Sequence, residues 1–328
     1  MFHIGENKKE GFTRSRVNLP QDRVRTKRLS LPRMVPASVY RRAMIRRWVI
    51  RPDEIAGIAV GLAQTLEERQ QALRLVHRTY VERGITISSR AGLKFSPFHI
   101  LPGTTTFVAK RGNRLLGTLS LIEDSPLGLP MESVHREEIT LLRQGQRRFA
   151  EVSTLCVASD VRGCGISMLL YQAMFRWARR HRSIEDLVIA VHPKMGPFFR
   201  HGLLFESLGP TREYGSLNSA LSMPMRIDLT AATARYRARY DRGDMEVDIA
   251  GHRTNLYRFF VQDTGPWLQL PEVADVPLVL SCPPPWSEGD VIAYLHACGT
   301  DCGSQPRQVR RFIEATWPAA AACTGEPR

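Results

Sequence analysis

The 328-residue sequence predicts a mixed α/β fold, and three observations carry that prediction. Phe149–Val157 is rich in β-formers and precedes two glycines and a run of apolar residues at helical spacing, which predicts strand, turn and helix. Thr104–Lys110 and Arg114–Ile122 alternate as strands do, and Gly112-Asn113 between them favours a tight hairpin. Hairpins and helical connections thus occur together, which favours a mixed sheet over a doubly wound parallel one.

The elements on either side of these segments follow in order. Ile55–Ala63 suits a strand, and the capping-box pattern Thr65-Leu-Glu-Glu68 opens a helix that Gly84 ends. After the hairpin, a loop leads to a helix over about 132–143, ahead of the strand that ends in the two glycines. Asp186–Val191 is a second strand of buried character, because it is a short and almost continuous apolar run.

The last third of the chain alternates helices with proline-rich segments. Pro197–His201 belongs to a short helix, and Ala220–Leu229 is a strand in which Pro224 favours a sheet edge or a bulge. Three more helices are expected, over 231–240, 287–296 and 306–317, with a linker over 263–286 and a disordered tail from Pro318. We therefore divide the chain into an arm (1–54), an α/β domain (55–230) and a C-terminal extension (231–328).

The positive charge is concentrated at the N-terminus. The net charge is +14, and residues 1–51 hold fourteen Lys and Arg against three Asp and Glu. This composition is typical of a solvated, partly disordered arm. Contact with an anionic partner or a membrane surface stays open, because Ser38–Val49 has the pattern of a short basic amphipathic helix. Nucleic acid is not expected, since no nucleic-acid-reading motif accompanies the charge.

Several classes of protein are excluded by what the sequence lacks. No run of about 18 apolar residues occurs, so no transmembrane helix is expected. The first residues lack the apolar core of a signal peptide, which favours a cytoplasmic protein. The six cysteines fit no disulfide framework, and Cys298 and Cys302 lack a second ligand pair. The sequence therefore predicts neither a disulfide-stabilised domain nor a metal site.

The glycine turn is the strongest binding motif in the chain. It reads Arg162-Gly163-Cys164-Gly165-Ile166-Ser167 and leads directly into the predicted helix. Glycines let the backbone approach a ligand, and a helix start presents unpaired N–H groups and the positive end of a dipole. An anion, and above all a phosphate, fits such a turn. The GxxxxGK[ST] pattern of a P-loop and the GxGxxG pattern of a Rossmann domain are both absent.

The turn resembles the acyl-CoA signature of the GNAT N-acyltransferase superfamily, [Q/R]-x-x-G-x-[G/A], with Ser167 in place of the final Gly or Ala. Further segments resemble the N-acyl amino acid synthases, a branch that acylates amino acids from acyl carrier protein. The resemblance spans about residues 60–230, and its matching segments are Leu101–Ala109, Gly117–Ser125, Gly128–Met131, Glu137–Arg143, Ala150–Ser153 and Pro193–Phe205.

The resemblance implies a twisted, mostly antiparallel sheet flanked by helices, and an enzyme that transfers an acyl group to an amine. It implies a long-chain acyl donor on phosphopantetheine, carried by acyl carrier protein or as acyl-CoA, an amino acid acceptor, and no permanently bound cofactor. Acyl-homoserine-lactone synthases share the general plan and are the nearest alternative, followed by short-chain acetyltransferases. A GNAT-fold module that binds carriers or nucleic acid without turnover is an alternative of another class.

The resemblance also suggests roles for individual residues. Glu151 opens the strand that leads to the turn and is the preferred general base; the alternative is a structural pair with Arg147 or Arg148. The backbone N–H groups of Leu155, Cys156 and Val157 are the expected oxyanion donors, because GNATs splay this strand from the next. The residues expected to hold the donor phosphate are Arg162, Gly163, Gly165 and Ser167.

The sequence leaves open how His192 and the Phe198-Phe199 pair take part in proton transfer. His192 directly follows the strand Asp186–Val191 and either shuttles a proton or ends a strand with no catalytic role. Many GNATs carry a phenylalanine–tyrosine pair on the next helix, and its phenol protonates the leaving thiolate. Here the pair is Phe198-Phe199, so that phenol is missing. Another group or water then protonates the thiolate, or the reaction relies on the low pKa of the thiol, or the chemistry is impaired.

Overall fold

The computed structural model describes residues 49–215, 220–263, 265–270 and 285–322, together with residues 39, 42 and 43. These residues lie in one compact unit that spans 37–328. Most of the basic N-terminal arm, most of the predicted helix at Ser38–Val49 and residues 271–284 of the predicted linker lie outside this part of the chain. Within it, no helix is both long enough and apolar enough to cross a membrane.

Within the described ranges, nine strands form one sheet and two more form a small hairpin. The strands are β1 Ile58–Leu62, β2 Thr104–Arg111, β3 Arg114–Glu123, β4 Phe149–Val157, β5 Asp186–Val191, β6 Glu206–Ser207, β7 Arg212–Tyr214, β8 Ala220–Asp228, β9 Val247–Ile249, β10 His252–Thr254 and β11 Leu268–Gln269. The sheet order is β11-β1-β2-β3-β4-β5-β8-β6, with β7 beside β8 and β9-β10 as the separate pair. Only β4–β5 and β1–β11 pair in parallel.

Helices cover both faces of this sheet. They are α1 Pro52–Ile55, α2 Leu66–Glu82, α3 Glu132–Gln144, α4 Ile166–Arg180, α5 Gly196–His201, α6 Leu229–Tyr240, α7 Glu288–Ala297, α8 Arg307–Thr316 and α9 Pro318–Ala322, with a π-helical turn at Arg258–Gln262. The predicted fold class is confirmed: the sheet is mixed, mostly antiparallel and flanked by helices. The expected disorder from Pro318 is wrong for α9, because Ala320 is buried there against the α7–α8 cluster.

β4 and β5 are neighbours only at their first residues. Their pairing runs from Phe149 with Asp186 to Glu151 with Val188 and then stops. Beyond that point β4 continues to Val157 along β3, while β5 continues along β8. A gap therefore opens between the second halves of two adjacent strands, as the resemblance implies.

Pro224 occupies an irregular position on the outer side of β8. The two short outer strands pair on either side of it, β6 with Met225 and Arg226 and β7 with residues 220–222. Proline has no N–H to donate to a ladder, so it is tolerated where the outer ladder is interrupted. The predicted edge or bulge at Pro224 matches this interruption.

Helix α4 is the central element of the core, because most of its length is buried against the sheet and the C-terminal segment. The fully buried Gln172 connects α4 to the C-terminal segment. Its Nε2 donates to the carbonyls of Phe259 (2.7 Å) and Asp263 (3.2 Å), and its Oε1 accepts from Nε1 of Trp267 (2.9 Å). Part of the predicted C-terminal extension thus packs on the α/β core, and β11 completes the sheet beside β1.

We expect Gln172→Leu to lower the free energy of unfolding by more than about 2 kcal/mol, because it leaves buried carbonyls and an indole N–H without partners, each costing about 1–3 kcal/mol. Urea denaturation measures the change. Gln71→Leu is the matched control, since Gln71 bonds only Glu67 one turn earlier on the surface of α2. Equal stability of the two variants would contradict the role of Gln172.

Candidate active site

One cavity of about 1020 Å³ lies at the gap between β4 and β5. Because the two strands no longer pair there, the space reaches through the sheet from the α2 side to the α4 side. The cavity brings together most of the residues predicted from the sequence, which are Glu151, Leu155, Val157, Arg162, Gly163, Gly165, Ser167 and His192. It also collects apolar side chains from α2 and from the 95–98 segment.

A β-bulge shapes the β4 side of the gap. Thr154 and Leu155 together oppose the single residue Leu119 of β3, and Thr154 has a positive φ of 52°. An extra residue in one strand bends it and increases its twist. The bulge therefore lies where β4 turns away from β5.

The bulge also decides which side chains share a face of β4. Glu151 and Cys156 are five residues apart and would face opposite sides of a regular strand, but the extra residue puts both on the α2 side. Cys156 is buried there with Leu75 of α2. Leu155 and Val157 face α4 and line the cavity. The Cys156 side chain, by contrast, does not reach the cavity.

Backbone donors line the open edge of β4. The N–H of Ala158 donates to the Leu116 carbonyl of β3 (2.8 Å). Successive N–H groups of a strand point to alternate sides, so the N–H of Cys156 also faces β3, whereas those of Val157 and Leu155 face the gap. Of the three expected oxyanion donors, the structure thus places two at the cavity and turns Cys156 away from it.

The glycine turn adopts backbone conformations that require glycine. Gly163 and Gly165 have φ of 92° and 75°, in the region that L-residues with side chains rarely adopt. A Cβ at Gly165 would also lie 2.4 Å from Ile50, whereas a Cβ at Gly163 would meet nothing within 4 Å. Gly165 is the N-cap of α4, so the free N–H groups of the first turn, including that of Ser167, open into the cavity.

Cationic side chains surround the turn. Arg162 pairs with Glu82 of α2 (3.0 Å), and its Nε donates to the Val157 carbonyl (3.4 Å), which fixes the guanidinium at the end of β4. Arg83, the residue after Glu82, also lines the cavity. With the dipole of α4, these groups make this end of the cavity suitable for a phosphate.

Glu151 is a buried carboxyl at the other end of the cavity. Its side chain is 4% exposed, and Oε2 accepts a hydrogen bond from the Met131 N–H (2.9 Å). Burial raises the pKa of Glu151 to about 8, although the hydrogen bond from Met131 acts in the opposite direction. The alternative structural pairs are not formed: Arg147 binds Asp186 (2.6 Å) and Arg148 lies 3.5 Å from Glu123.

His192 lies on the β5 side of the gap. It is the N-cap of a short 3-10 turn, and its Nδ1 accepts from the Lys194 N–H (3.1 Å). That bond assigns the proton of the neutral imidazole to Nε2. His192 is exposed and lines the same cavity as Glu151, so the structure brings together the two residues predicted for proton transfer.

Three tyrosines of the cavity were missed by the sequence analysis: Tyr80 of α2, Tyr171 of α4 and Tyr214 of β7. The pKa of each is raised by burial. Tyr171 was detectable in principle, because it lies four residues after Ser167 on the same helical face. Tyr214 lies on a three-residue strand that no sequence pattern indicates; its hydroxyl donates to the Pro130 carbonyl (2.8 Å) and accepts from Ser133 (2.9 Å).

Across the described ranges, no group of three or more His, Cys, Asp or Glu is arranged to hold a metal ion. Cys298 and Cys302 are free thiols in the helical cluster near α7, away from the cavity. The group that the site fits is an anion at the start of α4, with an apolar and carboxyl-bearing space beyond it.

The comparison with family models agrees with this geometry. Residues 71–228 match the family described as N-acyl amino acid synthase FeeM. The predicted resemblance to the N-acyl amino acid synthase branch of the GNAT superfamily is thereby confirmed. The matched segment contains α2 from Gln71 onward, the β4 strand, the glycine turn, α4 and β5, and it includes every residue predicted for the site.

Solved structures show the same general similarity. FeeM, an N-acyl amino acid synthase from uncultured soil microbes, is 26% identical with a TM-score of 0.48, over 54% of this chain and 94% of that one. The AHL synthase LasI is 17% identical with a TM-score of 0.42, over 56% and 94%. A putative N-acetyltransferase from Lactobacillus plantarum is 16% identical with a TM-score of 0.39, over 53% and 99%. No curated protein sequence matches the chain.

We expect Ser167→Asp to weaken the binding of coenzyme A at least about tenfold, because like charges some 4 Å apart repel by about 1–4 kcal/mol between water and a protein surface. Stability should not fall, since a carboxylate in the first turn favours a helix by about 0.3–1 kcal/mol. Calorimetric titration and thermal unfolding measure the two quantities. Ser167→Ala, which keeps the backbone N–H, is the control. Unchanged affinity for coenzyme A in the folded Ser167→Asp variant would contradict phosphate binding at this turn.

Proposed function

We propose that this acyltransferase of the N-acyl amino acid synthase branch moves a long-chain acyl group from a phosphopantetheine thioester to the α-amine of an amino acid. One observation carries the proposal: the cavity at the β4–β5 gap has an anion-binding turn at one end and a buried carboxyl at the other, with open backbone N–H groups between them. A thioester that spans the gap meets each group that the reaction needs.

The donor enters from the α4 side. Its phosphate binds the first turn of α4 at Gly165 and Ser167, with Arg162 and Arg83 nearby, and the pantetheine arm follows the open edge of β4. The thioester carbonyl then lies beside the N–H groups of Leu155 and Val157. These dipoles are fixed by the β3–β4 ladder, so they stabilise the oxyanion without reorganising.

The acceptor amine meets the thioester from the α2 side, where Glu151 lies. As a carboxylate, Glu151 takes a proton from the ammonium group, and the free amine attacks the carbonyl carbon. A pKa of about 8 suits this step, because it is close to that of the amine it deprotonates. His192, with Nε2 available at the β5 side, is the proposed route by which protons exchange with solvent.

The size and lining of the cavity favour a long acyl chain. Its volume of about 1020 Å³ is at the upper end of the roughly 300–1,000 Å³ typical of ligand pockets. Apolar side chains line a part of it away from the turn, among them Leu73, Val76, Phe95 and Phe98. Burial of alkyl carbons against such a wall stabilises binding by about 0.8 kcal/mol per methylene.

Two enzymatic alternatives predict different products. An acyl-homoserine-lactone synthase releases a lactone, and a short-chain acetyltransferase makes an acetylated amine. The apolar extension of the cavity favours a long chain over acetate, but both alternatives share the glycine turn. Mass spectrometry of lipids from a bacterial host that expresses the protein distinguishes linear N-acyl amino acids from lactones. A protein without turnover releases no thiol with any acyl donor.

The proposed partners follow from the donor and from charge. We propose acyl carrier protein as the preferred donor carrier, because carriers are acidic and this chain has a net charge of +14. The phosphopantetheine of a carrier has one phosphodiester, whereas coenzyme A adds a pyrophosphate and a 3′-phosphate. A turn made less ideal by Ser167 therefore loses less affinity for the carrier-bound donor. The basic N-terminal arm is proposed to contact a membrane surface, and the reaction is placed in the cytoplasm.

Glu151→Gln is the direct test of the reaction. Turnover should fall roughly 10²–10⁴-fold, because the ammonium proton loses its acceptor, while coenzyme A affinity stays the same. A raised carboxyl pKa means that the base is mostly protonated at neutral pH, so the wild-type rate should rise with pH and level off above about 8. The loss in the variant should shrink at high pH, where the amine is already neutral. Initial rates of amide formation across pH measure both effects.

Glu185→Gln is the matched control for this test. Glu185 also accepts a backbone hydrogen bond at 2.9 Å, from the Arg148 N–H, and lies outside the cavity. Its variant should keep wild-type turnover and pH dependence. If Glu151→Gln stays within a few-fold of Glu185→Gln at every pH, Glu151 has a structural role and the proposed base is wrong.

Donor choice has its own test. A long-chain acyl carrier protein should be preferred over the matching acyl-CoA at low salt, and the preference should fall steeply as salt is added. Exposed charges are screened beyond about 8–10 Å at 0.1–0.15 M ionic strength, which suppresses the encounter of opposite surfaces. The same acyl group on pantetheine without phosphate is the control, and its rate should not change with salt. Equal rates with carrier and coenzyme A, or a salt-independent carrier rate, would favour an ordinary coenzyme A enzyme.

A further inference from the structure

The departing sulfur has no partner among the groups proposed so far. Glu151 and His192 handle the proton of the amine, and the open edge of β4 binds the carbonyl oxygen. When the C–S bond breaks, a thiolate forms in a cavity lined largely by apolar groups, where an unneutralised anion is costly. Phe199 lines the cavity at the position where a phenol is usual, and its ring has no proton to give. A proton donor for the sulfur must therefore come from another element.

We propose that Tyr171 of α4 is the catalytic acid that protonates the leaving thiolate. The inference rests on the proposed acyl transfer and adds a residue to it. Tyr171 is 5% exposed, lines the cavity and packs edge-on against Phe199, with ring centroids 6.1 Å apart. Among the described residues no group forms a hydrogen bond with its hydroxyl, and the hydroxyl is not one of their fully buried polar atoms without a partner, so the phenol is an unpaired donor accessible from the cavity.

The position of Tyr171 on α4 matches the path of the donor. It lies four residues after Ser167 and three after Met168, so all three side chains share one helical face and line the cavity. A pantetheine arm that starts at the first turn of α4 passes this face before its sulfur reaches the gap. The phenol comes from the α4 side, whereas Glu151 comes from the α2 side, so acid and base flank the reacting carbon.

The other candidates fit the sulfur less well. Tyr80 interacts electrostatically with Glu151, Tyr214 and Cys156, which places it with the acceptor on the α2 side. The hydroxyl of Tyr214 already donates to the Pro130 carbonyl. His192 is exposed to solvent at the end of β5. Burial raises the pKa of Tyr171, so the phenol is protonated in the resting enzyme.

The step balances as follows. The amine nitrogen has lost its proton to Glu151 and has bonded to the carbonyl carbon, and the carbonyl oxygen carries the negative charge. As the C=O bond re-forms, the C–S electron pair leaves with sulfur, and the hydroxyl proton of Tyr171 moves to that sulfur. The nitrogen, which is still positively charged after the attack, gives its second proton through solvent to the phenolate, so the products are a neutral amide and a free thiol. No oxidant, reductant or further reactant is needed.

Tyr171→Phe tests the assignment with two donors of the same acyl group. With a pantetheine thioester, kcat should fall roughly 10²-fold or more while KM changes little. With a thioester of an aromatic thiol, whose thiolate is more stable and needs no proton to leave, the variant should approach wild type. A merely structural role for the phenol would reduce both rates alike. Amide formation and thiol release are followed together.

The Phe199 contact provides a rescue. Phe199→Tyr in the Tyr171→Phe background returns a phenol to the neighbouring ring of the same cavity and should recover part of the lost turnover. Tyr257→Phe is the matched control, because Tyr257 is about equally buried, 7% exposed, and does not line the cavity. Coenzyme A binding and thermal unfolding of each variant establish that it is folded.

The outcomes separate the two proposals. If the wild type releases thiol and forms amide but Tyr171→Phe matches Tyr257→Phe with the pantetheine donor, the acid assignment is overturned and the acyl transfer stands. An equal loss of rate with both donors in the Tyr171→Phe variant overturns the acid assignment in the same way. If the wild type hydrolyses thioesters without forming amide, the acceptor is wrong and the leaving-group comparison still decides the role of Tyr171. A wild type that releases no thiol overturns both.

Discussion

The early end of the β4–β5 pairing is the constraint on which the rest of the site depends. Two parallel strands that separate after three residue pairs leave backbone groups without a ladder partner, and buried backbone groups of this kind are tolerated only when something else binds them. The bulge at Thr154 bends β4 away at the point of separation. The open edge, the cavity and the access of two helices to the same space all follow from this separation.

The cavity favours neutral forms of its ionisable groups. Burial raises the pKa of Glu151 to about 8 and raises the pKa of Tyr171 and Tyr214. The start of α4 and Arg162 supply fixed positive potential at the far end. Because the lining between these ends is largely apolar, charge that develops on oxygen or sulfur has to be met by protein dipoles and protons.

The C-terminal segment supports this chemistry through α4. Gln172 follows Tyr171 directly and bonds the segment around Phe259, Asp263 and Trp267. A helix clamped in this way holds its first turn and its cavity-facing tyrosine in fixed positions relative to β4. Positioning of reacting groups to within a fraction of an ångström is a large part of catalysis, so residues far from the gap contribute to the geometry of the site.

The sequence by itself determined the order of the longer elements from β1 to β8, the bounds of β4 and β5, the glycine turn and the position of Glu151 on β4, because periodicity, turn residues and a short motif are local properties of the chain. Only the tertiary structure decided that Cys156 faces away from the cavity, since a single bulge changes the parity of a strand. It also decided that Tyr171 and Tyr214 line the cavity, because their positions depend on which elements meet at the gap. Contacts between elements that are distant in the sequence leave no pattern in the residue periodicity of a single helix or strand.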